Sequence, residues 1–188
     1  LALPCGVSDS MQKLKSRLMT LANADVNIVI NGETGTGKEK IARTLHSQSE
    51  RSDKPFVAIN CGAMPENLIE SELFGHEAGS FTGASKKRIG KIEYASGGTL
   101  FLDEIESMPL SAQIRLLRVI QEGELERVGS NQVVKVDLKV LSASKDDLFD
   151  LSQRGVFRQD LYYRLHVANL DLPPIQDRKD ETPKAMGE

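Results

Sequence analysis

Two groups of residues in this chain have types and spacing suited to chemistry. The first is Gly32-Glu33-Thr34-Gly35-Thr36-Gly37-Lys38-Glu39, which carries the Gly-x-x-x-x-Gly-Lys spacing of a phosphate-binding loop. Glycines let the backbone close tightly, so that several N–H groups point at one anion. A helix starting there aims its positive end at the same place, and Lys38 adds a mobile charge for β- and γ-phosphates. The generic pattern has Ser or Thr after the lysine to hold Mg²⁺, and here Glu39 stands there. The second group is Asp103-Glu104, closing the apolar run Thr99-Leu-Phe-Leu. Asp103 suits Mg²⁺ beside the phosphates. Glu104 suits the orienting and polarising of an attacking water, work that is mostly positioning and charge stabilisation. The pair predicts a nucleoside triphosphate site that hydrolyses rather than only binds.

The elements needed to hold these groups are legible as apolar runs. Val26 to Ile30 reads as a strand entering the glycine loop, and a helical pattern follows through Ile41, Ala42 and Leu45. Before them, Ser8 or Asp9 caps a helix with Met11, Leu14, Leu18, Leu21 and Ala22 on one face. His46 reads as a packing or capping imidazole. After them come a strand at Phe56–Asn60 and a helix from Pro65 through Leu68, Ile69 and Leu73. A strand at 99–104 precedes a helix at 110–120 with Ile114, Leu117 and Ile120 inward. Residues 125–128 and 133–136 read as a hairpin arm turning at Gly129. A strand at 138–144, a helix at 157–165 and a strand at 167–172 complete the pattern, and Pro173-Pro174 stops it. Strands alternating with helices predict an α/β fold: a five-stranded, mostly parallel sheet sandwiched by helices.

In such sheets a ligand lies at the carboxyl edge of the strands. Asn60 and Ser144 end what read as neighbouring strands, so both face that edge. An amide at Asn60 is suited to holding Glu104 by a hydrogen bond, and a hydroxyl at Ser144 to sensing the γ-phosphate; either is equally an ordinary strand-end polar residue. Arg158 and Arg164 read either as surface charges or as an arginine finger for a neighbouring subunit. Phe81 stands among Gly75, Gly79 and Gly83, followed by Lys86, Lys87 and Arg88. A packed core does not want this segment, and a plain surface loop does not want the phenylalanine.

The bulk properties set bounds. The chain has 188 residues, enough for one domain with a sizeable core, and its formal net charge of -3 does not indicate a broad nucleic-acid face. Cys5 and Cys61 form no framework and have no metal-ligand spacing; Cys61 reads as a small buried hydrophobe. No apolar run approaches the roughly 20 residues that span a bilayer, so no membrane partner is expected, and a reducing cytosol fits. Both ends read as cut, since Leu1 opens without methionine and the chain stops soon after a proline pair.

At this point the residues carry a resemblance. Gly32–Glu39, Glu70–Ala84 (ESELFGHEAGSFTGA), Gly97–Ile105 (GGTLFLDEI) and Phe157–Leu165 (FRQDLYYRL) resemble the central AAA+ domain of bacterial enhancer-binding proteins. These ATPases activate RNA polymerase carrying sigma-54. The resemblance runs from about Gly6 to Pro174, and in this family Glu39 after the lysine is normal. It implies ATP with Mg²⁺ as cofactors, a hexameric or heptameric ring and a bacterial cytoplasmic location. Gly32, Glu33, Thr34, Gly35, Thr36, Gly37, Lys38, Glu39, Asp103 and Ser144 would hold the nucleotide, Asp103 through the metal. Asn60 matches the switch asparagine, Glu104 the catalytic glutamate, Ser144 the first sensor, and Arg158 and Arg164 the trans fingers. Gly79, Ser80, Phe81, Thr82, Gly83 and Ala84 match the tip that touches sigma-54 RNA polymerase, and 128–136 a second loop supporting it. The resemblance divides the chain into a core at 1–172, with the contact loop inserted at about 75–88, and a linker with a truncated start of the helical lid at 173–188. DNA contact belongs to a C-terminal helix-turn-helix domain that this chain lacks.

Three departures are visible. The usual GAFTGA is GSFTGA, the usual Ala-Thr-Asn of the first sensor is Ala143-Ser144-Lys145, and the usual Leu-Arg-Glu-Arg is Ile175-Gln-Asp-Arg178. The variant near the first sensor points to the branch of C4-dicarboxylate transport regulators. Two functions compete: an ATP-hydrolysing activator that remodels sigma-54 polymerase for open-complex formation, and a nucleotide-binding regulator that no longer hydrolyses. Intact Asp103, Glu104, Asn60 and both arginines favour the first. A phosphotransferase acting on a small molecule lacks any acceptor-binding signature.

Overall fold

The strand segments alternate two kinds of apolar position, and in the computed structural model these face opposite layers of helices. The structure describes residues 9–33, 35 and 37–173. Along the chain lie α1 (Asp9–Ala22), β1 (Ile28–Asn31), α2 (Lys38–Ser47), β2 (Phe56–Asn60), α3 (Glu66–Phe74) and α4 (Lys91–Ala95). Then come β3 (Thr99–Asp103), a 3₁₀ turn (Ile105–Ser107), α5 (Leu110–Glu122), β4 (Glu124–Glu126) and β5 (Val133–Lys135). They are followed by β6 (Lys139–Ser144), α6 (Leu148–Gln153), α7 (Gln159–Leu165) and β7 (Ala168–Asp171).

Five strands form one sheet in the order β2-β3-β6-β1-β7, and every pairing is parallel. A parallel sheet needs both faces covered. Ile28, Ile30, Phe101, Leu141, Ala143 and Leu170 pack under α1 and α2. Val29, Ile59, Leu100, Leu102 and Val140 pack under α3, α4, α5 and α7. The period of two thus explains why Val29 and Phe101 part company with their chain neighbours. Burying a side chain such as Phe101 contributes about 1.5–3 kcal/mol relative to leaving it exposed.

The α1 face is the one its 3.6 period predicts: Met11, Leu14, Leu18, Leu21 and Ala22 are all buried. Its carboxyl end is closed by a buried lysine of β6. Lys139 Nζ donates to the carbonyl of Ala24, just beyond the helix, at 2.8 Å and lies 3.4 Å from that of Leu21, which also accepts the Ala24 N–H. Burial pulls the Lys139 ammonium below the usual lysine range, with Asp25 opposing that shift. His46 packs as expected. Its Nε2 donates to the Lys54 carbonyl at 3.0 Å, so Nδ1 accepts from the Thr99 hydroxyl at 2.8 Å. Burial holds this imidazole below the ordinary histidine pKa.

Three expectations are corrected. In α5 the inward face is Ala112, Gln113, Leu116 and Val119, while Ile114 is 52 % exposed and Leu117 and Ile120 are only partly buried. Gln113 turns the helix: its Nε2 donates to the Met108 carbonyl at 2.8 Å and its Oε1 accepts from the Arg158 N–H at 2.9 Å. In α3, Leu68 is 46 % exposed, and Ile69, Leu73 and Phe74 make the contact. Finally, Asn60 and Ser144 do not end adjacent strands, because β3 pairs with both β2 and β6. The hairpin arm is present as antiparallel β4 and β5.

Candidate nucleotide site and contact loop

Parallel pairing brings the carboxyl ends of β1, β3, β6 and β2 to one edge of the sheet, each followed by a residue with chemistry. Beyond β1, Gly35 and Gly37 hold φ of 86° and 84°, a left-handed backbone that side chains resist. Gly37 is the N-cap of α2, and no side chain caps that end. The first N–H groups of α2 are therefore presented to the loop with the positive end of the helix dipole. Lys38 folds over the loop, with Nζ donating to the carbonyls of Gly32 at 2.6 Å and Glu33 at 3.2 Å. Glu39 turns outward to Arg43 at 3.3 Å. Thr34 and Thr36 lie outside the described residues, as do residues 1–8 and the departure at 175–178.

At the end of β3, Asp103 and Glu104 diverge. Asp103 Oδ1 accepts the Glu104 N–H at 2.9 Å. Burial raises the Asp103 pKa above the ordinary aspartate value; the Glu104 N–H and Lys38 oppose that shift. Glu104 has φ 50° and ψ 48°, and among the described residues no other non-glycine has positive φ. Such a conformation persists where the surroundings impose it. The Glu104 carboxylate reaches across to the end of β2, where a Cβ on Gly62 would stand 2.7 Å from Oε1. Gly62 is in turn tied to Asn60, whose Oδ1 accepts its N–H at 2.9 Å. Asn60 thus meets Glu104 through the backbone of Gly62, a glycine the motifs did not single out. Between Asn60 and Gly62 lies Cys61, buried as read, with its thiol pushed up to about 12 by desolvation and, secondarily, by Glu106, Asp103 and Glu104.

Among the described residues no group of three His, Cys, Asp or Glu side chains is gathered to hold a metal. The partly desolvated carboxylate of Asp103 would offer a Mg²⁺ one oxygen ligand, in keeping with the few protein ligands that ion takes at phosphate sites. Ser144 ends β6 between β1 and β3, but its hydroxyl is engaged in a local turn. It donates to the Asp146 carbonyl at 2.8 Å and accepts the Asp146 N–H at 3.1 Å. Arg158 and Arg164 stand at the two ends of α7, the first half-buried and the second exposed. Arg158 grips Asp160 through two bonds of 3.0 and 2.8 Å, while its own N–H is held by Gln113. The carbonyl of Arg164 accepts from Asn27 at 3.1 Å. Neither guanidinium joins Lys38, Asp103 and Glu104 within this chain.

The segment between α3 and α4 leaves the core as a loop with a bonded root. His76 and Arg88 exchange backbone hydrogen bonds of 2.9 and 2.8 Å, and Gly79 donates to Ala84 at 2.6 Å. The turn after β4 braces it: Glu77 donates to Val128 at 3.0 Å and Val128 to Gly75 at 2.9 Å. Arg127, mostly buried, bonds Glu93 at 2.9 and 3.1 Å and reaches Glu77 at 3.4 Å. At the tip Phe81 is 40 % exposed and meets the ring of His76 edge-on. Thr82 and Gly83 are exposed and Ala84 is buried. Ser80 packs onto Gly129, and its hydroxyl is buried with no partner.

A family model, the sigma-54 interaction domain, matches residues 5–171. The chain belongs to this family. It is 55 % identical over 178 residues to the C4-dicarboxylate transport transcriptional regulatory protein DctD of Pseudomonas aeruginosa, covering 95 % of this chain and 38 % of that protein. It is 49 % identical over 182 residues to the transcriptional regulatory protein ZraR of Escherichia coli, covering 97 % and 41 %. The crystal structure of NtrX from Brucella abortus in complex with ADP superposes with a TM-score of 0.87 at 36 % identity, over 94 % of this chain and 38 % of that one. The chain spans about two-fifths of the length of these relatives. The sheet order is therefore the AAA+ P-loop architecture of a sigma-54 interaction domain.

The sequence motifs missed His76, Gly62 and Gln113. His76 lies inside the segment Gly75-His76-Glu77, where a buried imidazole between two chain-reversing glycines was the available signal. Gly62 and Gln113 left none, since one acts by lacking a side chain and the other looks like surface.

Proposed function

We propose that this chain is the ATP-hydrolysing core of a bacterial sigma-54 activator, assembling into a hexameric or heptameric ring that remodels sigma-54 RNA polymerase for open-complex formation. The observation that carries the reading is Glu104: a strained glutamate at the end of β3, beside Asp103 and turned onto Gly62 at the Asn60 strand end. In this reading the N–H groups of the Gly32–Lys38 loop and the start of α2 receive the phosphates of ATP, and Lys38 exchanges its loop carbonyls for the β- and γ-phosphates. Asp103 would hold Mg²⁺, which would supply charge neutralisation to the phosphates. Glu104 leaves Gly62 to orient and polarise the attacking water, and Asn60 governs that departure. Ser144 reports on the γ-phosphate once its hydroxyl is released from Asp146.

Arg158 and Arg164 lie apart from this chain's own site and serve the site of the neighbouring subunit. Gly79, Ser80, Phe81, Thr82, Gly83 and Ala84 carry the result to sigma-54 through the exposed Phe81. The protein works in the bacterial cytoplasm; no described helix is long and apolar enough to cross a membrane. With a net charge of -3, DNA contact falls to a C-terminal domain of the whole protein.

Phe81→Ala, introduced into the full activator, tests the reading. ATP turnover is expected to persist, while sigma-54 binding with a transition-state analogue and open-complex formation are lost. An aromatic anchor is worth about 2 kcal/mol or more when truncated, roughly thirtyfold in affinity. Full transcriptional activity in this variant refutes the contact role.

A further inference from the structure

His76 is buried at the root of the loop between α3 and α4. Its Nε2 lies 2.8 Å from the Lys86 carbonyl oxygen, which can only accept, so Nε2 donates. In the neutral ring Nδ1 is then the acceptor, and it takes its hydrogen bond from the hydroxyl of Ser71 on the last turn of α3. The two bonds fix tautomer and ring orientation together. Held this way, the imidazole meets the phenyl ring of Phe81 edge-on, with centroids 5.0 Å apart and planes at 74°. Nothing else among the described residues stacks with Phe81, and the backbone bonds that close the loop root do not involve its side chain. The anchor behind His76 is firm, because Ile69, Leu73 and Phe74 lock α3 into the core.

We propose that His76 is a positioning residue that seats Phe81 against α3 through Ser71. The one described ring contact of the tip aromatic is thus with His76, and the backbone bonds at the root of the loop do not depend on it. Beside Phe81 in the chain, the hydroxyl of Ser80 is buried and unpartnered. The functional meaning of the seat rests on the reading of Phe81 as a contact residue, but the seat itself is read without any partner.

The test labels this chain with 4-fluorophenylalanine, giving one ¹⁹F resonance for each of its six phenylalanines, with Phe81→Leu assigning the tip. In His76→Ala the Phe81 resonance is expected to lose the ring-current displacement and move to the solvent-exposed position, the other five staying in place. Ser71→Ala frees the imidazole from its anchor and moves the same resonance in the same direction by a smaller amount. A Phe81 resonance unmoved in folded His76→Ala overturns the proposal, and so does a common shift of all six. If His76→Ala does not fold, Ser71→Ala decides alone: movement of the Phe81 resonance supports the seat and immobility overturns it. Sigma-54 is absent from these spectra, so failure of the contact role leaves the resonance positions unchanged.

Discussion

At the scale of single residues, the nucleotide edge carries electrostatic strain that the bare protein must tolerate. Asp103 is partly desolvated, so its folded-state pKa stands above the unfolded value of 3.8. A carboxyl raised on folding holds its proton longer in the native state. Its stability penalty is absent where both states are protonated, below the unfolded pKa, and complete once pH exceeds the folded one. Asp103→Asn is therefore expected to raise the melting temperature of the nucleotide-free protein at neutral pH, with the gain vanishing toward pH 3. A gain independent of pH contradicts the desolvation argument. Ser80 offers a second case without charge. An unsatisfied buried hydroxyl costs about 1–3 kcal/mol, so Ser80→Ala is expected to stabilise the chain by a part of that. Thermal unfolding with Ser80→Ala reads it, and unchanged or lowered stability means that the hydroxyl finds a partner in solution.

At the scale of elements, α5 shows how a polar residue decides an orientation. Gln113 satisfies the Met108 carbonyl and the Arg158 N–H at once, tying α5 to the start of α7. Gln113→Leu keeps volume but strands both groups, and is expected to cost about 1–3 kcal/mol. Denaturant midpoints measure this, and a neutral result removes the tie between the two helices. The same residue explains where sequence reasoning failed. Apolar periodicity favoured Ile114 as the inward residue, because a glutamine whose two polar ends are both paired looks like surface until its partners are known. Where burial and periodicity agree, as in α1 and β3, the elements were legible. The order of the strands was not, because a run of Phe56-Val-Ala-Ile announces a strand but not its neighbours; β3 stands between Asn60 and Ser144 for that reason. The nearness of Lys38 to Asp103 was legible, because the residues that follow parallel strands of one sheet gather at its carboxyl edge. The seat of Phe81 was not, since it depends on a tautomer fixed by a backbone carbonyl ten residues away in sequence.

At the scale of the whole molecule, the guanidiniums of Arg158 and Arg164 make no described hydrogen bond to Lys38, Asp103 or Glu104 of their own chain. If these arginines serve an adjacent subunit, Arg164→Ala and Glu104→Ala proteins are each inactive alone, but mixtures recover part of the turnover. Some interfaces in a mixed ring then join an intact site to an intact arginine. Steady-state ATPase across mixing ratios of the full activator measures the recovery. Mixed rings without any recovered turnover assign Arg164 a role within its own subunit. The strand order has a further consequence, for the birth of the protein rather than its work. β1, which carries the phosphate loop, lies between β6 and β7: Ile28 pairs with Leu141 on one side and Ala168 on the other. Both partners are synthesised roughly a hundred residues or more after it, and contacts so distant in sequence form slowly. A ribosome releasing this chain has thus made the lysine of the phosphate loop long before anything exists to hold it. A nascent chain arrested before β6 is expected not to retain nucleotide, however complete its glycine loop.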